Sequence, residues 1–132
     1  MQQFYTIVLI IQYYLVKIIE INFACKTFPI NNVLKCSFGL TTTEFEVLKI
    51  LLKKNESSVD EIATLLGKNR TTIQRSIKPL INKNLIKRKQ YNLDGGGYQY
   101  YYSPAHKEEI KKRIRNEFQS FTEKVTNEIE KW

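Results

Sequence analysis

The stretch from Ser57 to Asn84, SSVDEIATLLGKNRTTIQRSIKPLINKN, constrains this chain most: its apolar spacing and turn residues specify two short helices joined by a tight turn. In the first half Val59, Ile62, Ala63, Leu65 and Leu66 share one side, and Asp60 and Glu61 sit in the opening turn, where acids suit the positive end of a helix dipole. Ser58 is the expected N-cap. Gly67 supplies the left-handed residue that ends a helix at low cost, and Asn69 is expected to cap the next helix by accepting from the amides near Thr71 and Thr72.

In the second helix Ile73, Ile77 and Leu80 fall at i, i+4 and i+7 and form one apolar stripe. The opposite face holds Thr71, Arg75, Lys78 and Asn82, flanked by Thr72 and Gln74. These residue types suit duplex DNA. Arg pairs with guanine through two hydrogen bonds, Gln with adenine, Thr meets the thymine methyl, and Lys neutralises phosphate. The candidate base-contacting residues are therefore Thr71, Thr72, Gln74 and Arg75, and the candidate phosphate contacts are Lys68, Asn69, Arg70, Lys78, Lys87, Arg88 and Lys89. A solvated polar face on a buried helix is the plain alternative. The helix-turn-helix spacing and the basic run beyond it favour the DNA reading.

Charge supports it through location. The chain of 132 residues carries a formal net charge of +8, and Lys68 to Tyr91 holds Lys68, Arg70, Arg75, Lys78, Lys83, Lys87, Arg88 and Lys89 without an acid. Clustering of this kind favours a polyanionic partner. Cys25 and Cys36, with His106 as the one histidine, make no zinc spacing, so neither a metal nor a cofactor is expected. Two reduced, largely buried cysteines are the favoured reading, and a Cys25–Cys36 disulfide, which spacing alone does not support, is the alternative. No nucleophile and base, paired carboxylates or metal set stands at usable spacing, which argues against an enzyme.

Phe4 to Val16 is the most apolar run, and the pattern resumes after Lys17. Gln12, Lys17 and Glu20 interrupt it as a membrane span, and no basic region precedes it as in a signal peptide. A buried helix or strand covering the domain or a dimer partner is the favoured reading. Pro29 and Asn31-Asn32 mark a break over Phe28 to Asn32, followed by a short helix from Val33 to Phe38 that ends at Gly39. Thr41 with Glu44 forms a capping box for a helix whose apolar set is Phe45, Val47, Leu48, Ile50, Leu51 and Leu52.

After Asn84 the period changes. Leu85 to Tyr91 and Tyr98 to Tyr102 predict a two-stranded hairpin, with the turn drawn from residues 92–97. The triple glycine lacks the strand-to-helix context of a phosphate loop. Ser103 and Pro104 are expected to start a final helix, with His106 in its first turn. Ile110, Ile114, Phe118, Phe121, Val125, Ile129 and Trp132 make one seam along it, and pairing with a second copy is the economical way to bury that seam. Packing against the chain's own N-terminal segment is the alternative.

The architecture expected is mainly α with a small β-hairpin: an apolar segment over 1–28, a winged helix-turn-helix domain over 29–103 and a long C-terminal dimerisation helix over 104–132. Leu40 to about Ile114 resembles the DNA-binding domains of archaeal TrmB-like regulators and, more distantly, the MarR group. The blocks LTTTEFEVLKILLKK, SVDEIATLLGKNRTTIQRSIKPLINKNLIKR and GGGYQYYYSP carry this resemblance. It implies a homodimer with recognition helices in successive major grooves and wings on the flanking backbone or minor groove. Asn84 stands where such sequences usually have Gly, Pro79 lies inside the recognition helix, and the chain leaves no room for a sugar-binding domain. The function expected is that of a cytoplasmic, dimeric regulator of transcription on double-stranded DNA. A protein-interaction module of a transcription or replication assembly, or a membrane-tethered DNA-binding protein, are the alternatives.

Overall fold

The computed structural model describes residues 20–132. The apolar run from Phe4 to Val16 lies outside them, so the readings offered for it lie there too. Among the described residues no helix is long and apolar enough to cross a membrane. The chain enters as an antiparallel hairpin, β1 (Glu20–Phe23) with β2 (Lys26–Pro29), turned through Ala24 at φ 41°.

No loop follows where the sequence predicted a break. β2 passes directly into α1 (Ile30–Ser37), which starts three residues before Val33. Pro29 is its N-cap: the ring holds φ at −60° with ψ 136°, and a missing N–H is no loss at a helix start. Cys25 and Cys36 are free thiols, as expected, but both are exposed. Cys25 falls in the hairpin turn and Cys36 on the outer side of α1, so their small apolar side chains gain no burial.

α2 (Thr42–Lys54) opens with the predicted capping box. The Glu44 amide donates to Thr41 Oγ1 at 3.2 Å, and the Thr41 amide donates to Glu44 Oε2 at 3.2 Å. α3 (Val59–Leu66) is capped by Ser58, whose Oγ accepts from the Glu61 amide at 3.3 Å, and it ends at Gly67 with φ 61°. Leu65, assigned from the sequence to the apolar side of this helix, is 52% exposed because eight residues cannot turn all five apolar side chains inward. α4 (Arg70–Asn82) follows with Asn69 as N-cap by backbone, φ −68° and ψ 147°, but the Asn69 side chain makes no capping hydrogen bond.

These three helices converge on one core. Leu48 and Leu51 of α2, Ile62 of α3, Ile73 and Leu80 of α4 and Leu85 just beyond are fully buried. Burying such a side chain contributes about 1.5–3 kcal/mol. α4 is thereby fixed by one face, and its other face is left to solvent.

β3 (Ile86–Asn92) and β4 (Tyr98–Pro104) form the wing, in a register that sets Ile86 opposite Pro104 and Asn92 opposite Tyr98. Gly96 and Gly97, at φ 92° and 83°, make the reversal that a Cβ would strain. Ser57 adds a one-residue third strand: its amide donates to the Tyr102 carbonyl at 3.0 Å, and the Tyr102 amide donates back at 2.9 Å. This ladder corrects the expected start of the last helix. Ser103 and Pro104 are held extended opposite Lys87 and Ile86, and the Ala105 amide donates to the Leu85 carbonyl at 2.8 Å. α5 (Lys107–Ile129) therefore begins after them, with His106 as its N-cap and not in its first turn. At 23 residues it is about 35 Å long.

Candidate nucleic-acid interface

Because Ile73, Ile77 and Leu80 are buried, α4 presents Thr71, Thr72, Gln74, Arg75 and Lys78 to solvent, as their spacing predicted. Thr71, Gln74, Arg75 and Lys78, with Pro79, Asn82 and Lys83, line an open concavity of about 530 Å³. Arg75 and Lys78 make no ion pair or side-chain hydrogen bond among the described residues, so their charges are uncommitted. Ser76, on the buried side, satisfies its hydroxyl by donating to the Thr72 carbonyl at 3.1 Å.

The turn residues are engaged differently. Lys68 Nζ donates to Thr43 Oγ1 at 3.0 Å and lies 3.5 Å from Glu46 Oε2, both on α2. Arg70 Nη1 reaches the two oxygens of Asp60 at 3.2 and 3.3 Å. Asn69 is exposed between them.

The wing cations separate by strand alternation. Arg88 shares a face with the buried Tyr102 opposite it, and its guanidinium lies 4.3 Å from the Tyr100 ring centroid. Lys87 and Lys89 point to the other face. There Lys89 lies 4.9 Å from the Tyr91 ring, whose hydroxyl donates to Glu56 Oε1 at 2.8 Å. Burial pushes the Tyr102 phenol above its ordinary range, against the opposing positive charges of Arg88 and, more weakly, Arg70. The structure thus gathers Thr71, Gln74, Arg75 and Lys78 at one concavity but does not bring Lys87 and Lys89 to the face of Arg88.

Two residues escaped the site expected from sequence. Lys83 lines the concavity and donates to the Gly39 carbonyl at 2.9 Å. Arg113 of α5 donates to the carbonyls of Lys83 at 2.6 Å and Asn84 at 3.2 Å, fixing the end of α4. Lys83 was visible as part of the acid-free run. Arg113 gave no signal, since its partners lie about thirty residues away.

The α5 seam divides in two. Ile110 is buried in the domain core and Ile114 packs against that core, whereas Phe118, Phe121, Val125, Ile129 and Trp132 are exposed. Trp132 lies past the end of the helix.

Three packed helices, the last with a bare outer face, followed by a hairpin tied back to the strand stub before α3, define a winged helix-turn-helix protein. Residues 34–108 match the family described as "Sugar-specific transcriptional regulator TrmB". An uncharacterised protein of Methanocaldococcus jannaschii is 33% identical over 108 residues, covering 82% of this chain and 79% of its own. A possible transcriptional regulator from Methanosarcina mazei superposes with a TM-score of 0.78 at 35% identity, over 86% of this chain and 97% of that one. A mutant of MepR from S. aureus, bound to an oligodeoxyribonucleotide, shares the fold with a TM-score of 0.53 at 13% identity, over 93% and 82% of the two chains. The chain belongs to the TrmB family of transcriptional regulators.

Proposed function

We propose that this protein regulates transcription by binding double-stranded DNA as a homodimer, with α4 in the major groove and the wing on the flanking backbone or minor groove. One observation carries the reading: Thr71, Gln74, Arg75 and Lys78 stand together around the α4 concavity while the helix is anchored entirely by its other face. Thr71, Thr72, Gln74 and Arg75 read base edges. Asn69, Lys78 and Arg88 meet phosphate directly, Lys68 and Arg70 do so by leaving their carboxylate partners, and Lys87 and Lys89 follow the backbone along the far face of the wing. The DNA-bound MepR relative in fold supports duplex DNA as the partner class. The protein acts in the cytoplasm, where it meets that duplex, and has no catalytic role.

Two-fold symmetry of the dimer predicts an imperfect palindrome with half-sites roughly 10 base pairs apart. A preferred duplex is selected from random sequence, and binding is then compared with a scrambled duplex of the same length. Arg75→Ala is expected to lose about 1–3 kcal/mol on the preferred duplex and to leave the scrambled one nearly unchanged. Equal binding to both duplexes, before and after that substitution, sinks specific readout by α4.

A further inference from the structure

The segment from Lys68 to Tyr91 contains no acid, yet carboxylates from neighbouring elements reach into it. Glu46 of α2 lies 3.5 Å from the Lys68 ammonium, and Asp60 of α3 takes the Arg70 guanidinium with both oxygens at 3.2 and 3.3 Å. Glu56, before α3, accepts from the Tyr91 hydroxyl on which Lys89 rests. Arg75 and Lys78 have no carboxylate within ion-pair distance among the described residues. The cations at the start of α4 are thus paired with acids, and those on its reading face are not.

We infer that Asp60 and Glu46 are internal competitors for phosphate, which occupy Arg70 and Lys68 in the free protein and hold down the sequence-independent part of the affinity. The inference rests on the DNA reading proposed above. Arg70 and Asp60 are 63% and 59% exposed in their side chains, so solvent screens the pair and it exchanges readily. A duplex offers a negative charge about every 1.7 Å of its axis, a denser array than one carboxylate. Binding therefore swaps a carboxylate for a phosphate at Lys68 and Arg70, whereas Arg75 enters the groove, and Lys78 meets its phosphate, with no bond to break. The restrained part of the affinity, at Lys68 and Arg70, and the discrimination, at Arg75, then sit on different residues.

The test compares Asp60→Asn and Glu46→Gln with the wild type on preferred and scrambled duplexes across a salt series. Each substitution is expected to tighten binding to both duplexes by about two- to five-fold per protomer at low salt. Each should also steepen the salt slope by up to about 0.9 per protomer, with the ratio between duplexes unchanged. Glu123→Gln, which removes an α5 carboxylate that makes no ion pair among the described residues, is the control for net charge. An equal gain from Glu123→Gln overturns the inference, as does weaker binding by Asp60→Asn, which would make Asp60 an aid to Arg70. Elution from phosphocellulose gives the same comparison without a duplex. If the wild type binds no duplex the DNA reading fails alone. If Asp60→Asn and Glu46→Gln elute with Glu123→Gln, the competition fails.

Discussion

Arg113 shows how much a single residue settles here. Its two donors hold the carbonyls of Lys83 and Asn84, where the chain leaves α4 through a left-handed Asn84 at φ 56°, and its guanidinium rests 5.3 Å from the Phe38 ring centroid. A cation at a helix C-terminus is favourable by its dipole, and this one also ties α5 to α4. Tyr102 is the residue with a pH signature. Burial raises its pKa in the folded state, so the fold keeps a proton that the unfolded chain releases above about pH 10. Stability is expected to fall as pH rises past about 10, and Tyr102→Phe should flatten that decline relative to the wild type in urea midpoints measured at pH 9, 10 and 11. Identical slopes in the two proteins would assign the decline to other groups. Asn84 was readable in the sequence, because few other side chains tolerate a left-handed turn. The burial of Tyr102 was not, since alternate tyrosines look alike until the partner strand fixes which face each one takes.

Among the elements, α4 carries a local cost. Pro79 supplies no N–H for the Arg75 carbonyl, three residues from the helix end, and the residue is partly buried at the concavity. Pro79→Ala is expected to raise stability by about 1 kcal/mol by restoring that hydrogen bond, read as a higher urea midpoint. A lower midpoint would show that ring packing outweighs the missing bond. The helices themselves were legible: the capping box at Thr41, the Ser58 cap, Gly67 and the Ile73, Ile77, Leu80 stripe all stand where local chemistry set them. The starts of α1 and α5 were not, and both misreadings involve proline. Pro29, read as a break, and Pro104, read as a helix opener, both end strands. Yet Pro29 also caps the helix that follows at once, whereas past Pro104 the ladder to residues 18 positions earlier continues through the Ala105 amide and α5 waits until Lys107. Proximity in space, which sequence spacing does not encode, made the difference. The same holds for the split of Lys87 and Lys89 from Arg88, which follows from alternation once the register is known.

At the scale of the whole molecule, α5 leaves the domain. Its first turns, at Ile110 and Ile114, join the core, and Phe118, Phe121, Val125 and Ile129 continue as an apolar stripe 41–65% exposed. An apolar stripe of this length is costly in water. Under the proposed dimer, Phe121→Glu is expected to shift the wild-type mass to half in sedimentation equilibrium, while the circular dichroism of the winged domain is retained. A wild-type protein that already sediments as a monomer would remove the dimer from the mechanism and with it the palindrome. The two hydrogen bonds between Ser57 and Tyr102 have a further, mechanical consequence. Ser57 precedes the α3 cap, and Tyr102 lies near the base of the wing. Wing and reading head are thus hinged on a common pin, so a twist of the hairpin is transmitted to the start of α3 as torque. Under the proposed binding mode, groove width felt by the wing and groove depth felt by α4 become one measurement taken by a single caliper.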